Sequence, residues 1–182
     1  APQNTREAIW DAMQRKETFG TSGPMMKVRF FGGFDYAVDD VNKADFVKRA
    51  YAKGVPMGGD LKPGNGKAPT FLVMAMKDPK SGNLDRIQIV KGWLDASGKQ
   101  HEKVYDVVWS GERKPGADGK LPPVGNSVDV KTATYSNDIG AAQLAIGWID
   151  PDFKAGERAF YYARVLEIPT PRWNTYDAAR LN

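Results

Sequence analysis

Cysteine is absent from this sequence and histidine occurs once, as His101. The first absence removes disulfides, zinc–thiolate centres and thiol nucleophiles together. The second leaves no HxH or HExxH spacing, so a metal site would need His101 plus carboxylates. A serine triad would have one histidine to use as base, and neither Ser22-Gly23 nor Ser110-Gly111 lies in a GxSxG elbow. His101 stands between Gln100 and Glu102 where a strand is predicted to begin, and it reads as an exposed turn residue. No apolar run approaches the ~20 residues that cross a bilayer as a helix, so membrane insertion is not expected.

What is present is ordinary for a globular domain: 182 residues, of which 41% are hydrophobic and 26% charged. A chain of this length buries roughly two thirds of its unfolded surface and needs no metal or disulfide to fold. The 19 glycines and 12 prolines mark many turns, which suits short strands. Net charge is +4, but the basic residues are interspersed with acidic ones. The densest basic stretch, residues 43–53, contains Asp45 and is laid out as a solvated helix face. With no RNA-recognition motif in the chain, a nucleic-acid partner is not expected.

Residues 4–17 carry the clearest helix pattern. Asn4 is placed to cap, with Glu7 at capping-box spacing, Ile9 and Met13 on one face and Trp10 beside them. The run from Gly20 to Pro24 is expected to stop it. From Met26 the period changes to two, with Val28 and Phe30 alternating with Lys27 and Arg29. Residues 45–53 predict a short helix closed by Gly54. Further strands are predicted over residues 71–77, 84–94, 102–109, 128–135, 143–149 and 158–168. In the last, Phe160, Tyr162, Leu166 and Ile168 are assigned to the core face, with Arg164 among them. Seven strands without intervening helices imply a mostly β fold, an antiparallel two-sheet β-sandwich with an N-terminal helix and one short additional helix. The divisions are residues 1–24 as helix and loop left from a preceding domain, 25–168 as the sandwich, and 169–182 as an extended tail.

Catalytic patterns are sparse. Asp39-Asp40, Asp150-Pro151-Asp152 and the stretch from Glu102 to Asp106 supply carboxylates, each in a turn or at a strand end where capping accounts for them. The segments beginning at Asp78 and Asp118 lack the ligand series of a calcium loop and read as hairpin turns. The run Gly54-Val55-Pro56-Met57-Gly58-Gly59-Asp60-Leu61 allows close backbone approach and could line a pocket or support a domain contact. Trp93, Trp109 and Trp148 belong to strands, whereas Trp10 and Trp173 fall outside the strand pattern and are candidates for covering a neighbouring domain. No evenly spaced exposed aromatic row is visible in the sequence.

Several long strings carry a resemblance. They are Asn4-Thr5-Arg6-Glu7-Ala8-Ile9-Trp10-Asp11-Ala12-Met13, Gly20-Thr21-Ser22-Gly23-Pro24, Val28-Arg29-Phe30-Phe31-Gly32-Gly33, residues 51–61 and 84–94, and Ile168-Pro169-Thr170-Pro171-Arg172-Trp173. Across nearly its whole length the chain resembles the C-terminal region of the bacterial family catalogued as domain of unknown function 3604. That family is similar to the polymerase-and-histidinol-phosphatase metallohydrolases. The resemblance implies a divalent metal in a histidine-rich N-terminal half, a periplasmic or secreted location, and no cofactor in this chain. It also leads one to expect arginine after Gly23-Pro24, where this sequence has Met25.

The expected function is therefore a non-catalytic sandwich whose partner is its own metallohydrolase-like domain. Arg6, Trp10, Thr21, Ser22, Gly23, Gly58, Gly59, Asp60 and Trp173 are the candidates for the junction or cleft. The alternative is an independent binding module for a glycan or other extracellular polymer, with Trp173 in its site.

Overall fold

The computed structural model describes every residue except Pro63, Asn65 and Asn182. Among the described residues seven strands form two antiparallel sheets. β1 (Lys27–Gly33), β2 (Val55–Pro56), β3 (Thr70–Met76) and β6 (Gln143–Ile149) make one, in the order β2-β1-β3-β6. β4 (Leu84–Leu94), β5 (Gln100–Trp109) and β7 (Arg158–Glu167) make the other, in the order β5-β4-β7. The helices are α1 (Arg6–Gln14), α2 (Phe46–Lys53) and α3 (Trp173–Leu181), with a 3₁₀ segment at Val38–Asn42.

Alternation places the core. Phe30, Phe71, Val73 and Ala75 of one sheet meet Leu84, Ile87 and Ile89 of the other. The opposite face of the four-stranded sheet is covered as well. There Phe31 and Leu72 pack with Tyr36, Val41, Phe46 and Ala50, contributed by α2 and the segment before it. This second layer explains why β3 is apolar on both faces. Tyr36 closes it by donating from its hydroxyl to the Ala50 carbonyl at 2.5 Å. Burial, reinforced by Asp40, pushes that phenol up to about 12.

The sandwich expected from the sequence is present, with four differences in its parts. Residues 128–135 are a turn closed by a bridge between Asp129 and Thr134. The Asp129 carboxylate accepts from the amides of Lys131 and Thr132 at 2.8 and 3.4 Å, which competes with strand pairing. The seventh strand is instead β2, two residues on the edge of β1, where Pro56 costs no ladder bond.

The helix α1 is shorter than residues 4–17. Thr5 caps it by accepting from the Ala8 amide, and Lys16 ends it at φ 58. The Glu17 amide then reaches the Ala12 carbonyl and the Lys16 amide that of Met13, a Schellman closure. The tail is extended only to Arg172 and then becomes α3; with Pro169 and Pro171 behind it, the chain Trp173–Leu181 meets no further breaker. Asn182 lies outside the described residues.

The fourth difference is the orientation of β7. Tyr161, Ala163 and Val165 pack on the core, and Phe160, Tyr162 and Arg164 face outward, the reverse of the predicted face. Ile168 alone of the expected set is buried, at 2% exposure, beyond the strand's end. The reason lies in polar contacts of Tyr161 described below.

If α2 truly seals a second core, Leu72→Ala will lower unfolding stability by about 2–5 kcal/mol in urea titration. Val130→Ala, in the segment that is not a strand, will change it by no more than about 0.5 kcal/mol.

Candidate functional site

The two ends of the connection between β6 and β7 converge on one ammonium. Lys91, 1% exposed on the inner face of β4, lies 2.8 Å from Asp150 Oδ2 and 3.1 Å from Glu157 Oε2. It also donates to the Asp152 carbonyl at 3.0 Å. Trp93 and Tyr161 supply ring faces at 5.2 and 5.9 Å. Tyr161 donates to Asp150 at 2.8 Å, and Tyr105 and Lys103 donate to Asp152 at 2.7 and 2.5 Å. Burial alone would push the Lys91 ammonium's pKa down, but the hydrogen bonds and charges of Asp150 and Glu157 outweigh it and raise it. Burial and then Asp150 push the Tyr161 phenol up. Hydrogen bonds from Lys103 and Tyr105 hold Asp152 below the ordinary carboxylate range.

In the sequence Lys91 falls within the strand predicted over residues 84–94. Its signal was available: Ile87, Ile89, Lys91 and Trp93 alternate, so a lysine stands on an apolar face and must have a partner.

His101 is half-buried instead of an exposed turn residue. It stacks on Trp93 with ring centroids 5.2 Å apart, and its Nε2 lies 2.8 Å from Asp95 Oδ2. Ser97 completes a serine–histidine–aspartate set in composition only. Its hydroxyl donates to Asp95 at 2.6 Å and not to the imidazole, so no base is placed to activate it. Asp95 also accepts from the amides of Ser97 and Lys99. The Ser97 hydroxyl first, then His101 and the Lys99 amide, hold it well below the ordinary carboxylate range. The group pins the hairpin turn.

The other carboxylates have similar employment. Asp39 binds Asn42 and Lys43, Asp40 accepts from the Ala37 amide, and Asp106 binds Arg86 and Gln88. Among the described residues no group of three or more histidine, aspartate or glutamate side chains could hold a metal. The divalent ion implied by the family resemblance does not fit this chain's own donors.

Eight of the nine candidate residues separate onto three surfaces. Thr21, Ser22 and Trp173 line a cleft of about 980 Å³ beside the free edge of β7. Gly58, Gly59 and Asp60 line another, of about 590 Å³, whose walls include Phe30, Phe34, Phe71 and Phe153. Arg6 and Trp10 lie on α1, outside both. Gly23 is exposed with open space around it.

Gly58 has φ +84, and a Cβ on it would sit 2.2 Å from the Lys16 carbonyl oxygen. The close approach expected of this glycine run is therefore made with the end of α1. Met25, in place of the expected arginine, is 76% exposed, and its amide donates to Asp78 at 2.6 Å. At this position the backbone is anchored and the side chain points to solvent.

These features define a β-sandwich whose buried lysine and arginines are paired in structural roles, while Glu167 at the end of β7 keeps one buried oxygen without a hydrogen-bond partner and burial pushes its carboxyl up. The sequence profile of the family described as Protein of unknown function (DUF3604) matches residues 1–182, and the chain belongs to that family. No curated protein and no solved structure matches it.

Replacing Lys91 by alanine will leave Asp150 buried and unpaired, at a cost of about 3–5 kcal/mol in urea unfolding at neutral pH. Because the folded pKa of Lys91 is raised, its contribution is complete below the ordinary lysine value of about 10.4 and is lost as pH rises further. Tyr161 has the same sign. The wild-type chain will therefore lose stability steeply above about pH 10, and the Lys91→Ala chain will show a flatter alkaline limb.

Proposed function

We propose that this chain is a non-catalytic β-sandwich domain of a larger metal-dependent hydrolase-like protein, packing beside that protein's catalytic domain and walling its cleft. One observation carries the reading. α1 exposes Ile9, Trp10 and Met13 at 38, 61 and 57%, and Ala12 is its one buried residue. A nine-residue helix is marginal by itself. This one is fastened mainly at its C-terminal end, by the Gly58 contact and by the hydroxyl of Tyr51 donating to Glu17. An apolar face held out in this way fits a surface for a neighbouring domain.

The charge chemistry is consistent with an accessory role. Lys91, Asp150 and Glu157 hold one another, and the Ser97 hydroxyl is bound to Asp95 and not to His101. Any divalent metal would then belong to the neighbouring domain, where it would activate water for hydrolysis. Arg6 and Trp10 would make the junction, and the cleft lined by Gly58, Gly59 and Asp60, just beyond the foot of α1, would open towards it.

Hydrogen exchange on the full-length family protein, compared with the 182-residue chain, tests this directly. Amides of α1 will exchange roughly tenfold or more slowly in the longer protein. Equal exchange in the two would rule out docking through α1.

A further inference from the structure

The outer face of the three-stranded sheet carries a feature that the predicted strand orientation concealed. With Tyr161, Ala163 and Val165 turned inward, β7 presents Phe160 and Tyr162 to solvent at 62 and 43% exposure. Their ring planes are within 12° of parallel and their centroids 6.4 Å apart. Phe160 pairs across the sheet with Gly92, and Tyr162 with Val90. A Cβ on Gly92 would lie 2.3, 2.5 and 3.1 Å from Cζ, Cε1 and Cε2 of Phe160. All three are atoms at the tip of the ring, so the Cζ end of Phe160 hangs over the glycine. The phenylalanine covers the gap that the glycine leaves in the sheet and is itself 62% exposed. Val90 beside it is fully buried.

A polar row runs beside the rings. Arg164 Nε donates to Gln88 Oε1 at 2.8 Å, and Gln88 Nε2 donates to Asp106 Oδ1 at 2.7 Å, so one residue from each strand is locked in line. The terminal nitrogens of the Arg164 guanidinium have no protein partner among the described residues. Across Gly92 from Phe160, Glu102 faces outward on β5.

We infer that this face is a binding platform for an extended, uncharged pyranose chain, with Phe160 and Tyr162 as the stacking surface and Arg164, Gln88 and Asp106 as the hydroxyl-binding row. Sugar rings offer flat C–H faces to aromatic rings and hydroxyls that both donate and accept. A surface with two exposed, nearly parallel rings and fixed groups of both kinds matches that chemistry. The face carries two arginines, Arg158 and Arg164, and two carboxylates, Asp106 and Glu102, so both signs are present and an uncharged ligand fits it best. Flatness selects an extended chain over a coiled one. The site is distinct from Trp173, which lines the cleft at the edge of β7.

The test is calorimetric titration of the full chain with cellohexaose, xylohexaose and mannohexaose, and with maltohexaose, heparin oligosaccharide and oligo(dT) as contrasts. At least one of the first three is expected to bind saturably below about 1 mM. Phe160→Ala will weaken it roughly tenfold, with an unchanged melting curve as the check on folding. Gly92→Ala keeps both rings but lifts Phe160 from its seat, and will weaken binding as well. Trp173→Ala will leave affinity unchanged. No binding by any of the three extended chains at millimolar concentration would overturn the inference. So would affinity that survives the Phe160→Ala/Tyr162→Ala double substitution, or a preference for maltohexaose, heparin or oligo(dT).

Discussion

A single buried ammonium organises the end of the sandwich where the chain passes from one sheet to the other. Lys91 has almost no access to water, and its cost of burial is met by Asp150 and Glu157, the residues that begin and end the crossing loop. Because Tyr161 donates to the same Asp150, β7 must turn that residue inward. Once Tyr161 faces the core, the period of two sends Phe160, Tyr162 and Arg164 to the outside. The orientation of a whole strand, and the character of the sheet's outer surface, thus follow from where one lysine finds its counter-charges.

A second polar lacing does comparable work for the longest irregular stretch. Arg86, 8% exposed, donates to the carbonyls of Leu121 and Pro122 and to Asp85 and Asp106. Arg113 reaches Asp85 and the same Pro122 carbonyl. Guanidinium groups suit this task because their fixed fork can hold several backbone oxygens at once. Residues 110–142 are tied to the sheet in this way with little regular structure of their own.

Much of the architecture was legible from pattern. Alternation located β1, β3, β4, β5 and β6 closely, and the apolar character of β3 on both faces announced its central place. The glycines at 58 and 59 were rightly read as allowing close approach, although only the structure identifies Lys16 as the neighbour. Local hydrogen bonding defeated the reading elsewhere. Asp129 turned an apparent strand into a bridge-closed turn, and the closure at Lys16 ended α1 before the glycine run was reached. Which of the junction candidates share a surface was not legible: their division among a helix face and two clefts, with Gly23 in none of them, follows from the fold.

The sequence by itself determined the class of fold, because period-two alternation and frequent turn residues leave few ways to bury the apolar positions. It also determined the poverty of metal-binding side chains, which follows from one histidine and no cysteine. Only the tertiary structure decided which face of β7 is inside. Phe160 and Tyr161 are both large and aromatic, so hydrophobicity does not choose between them. The choice falls to the phenolic hydroxyl of Tyr161, which reaches a carboxylate 11 residues away in sequence, held there by Lys91, its partner across the sheet.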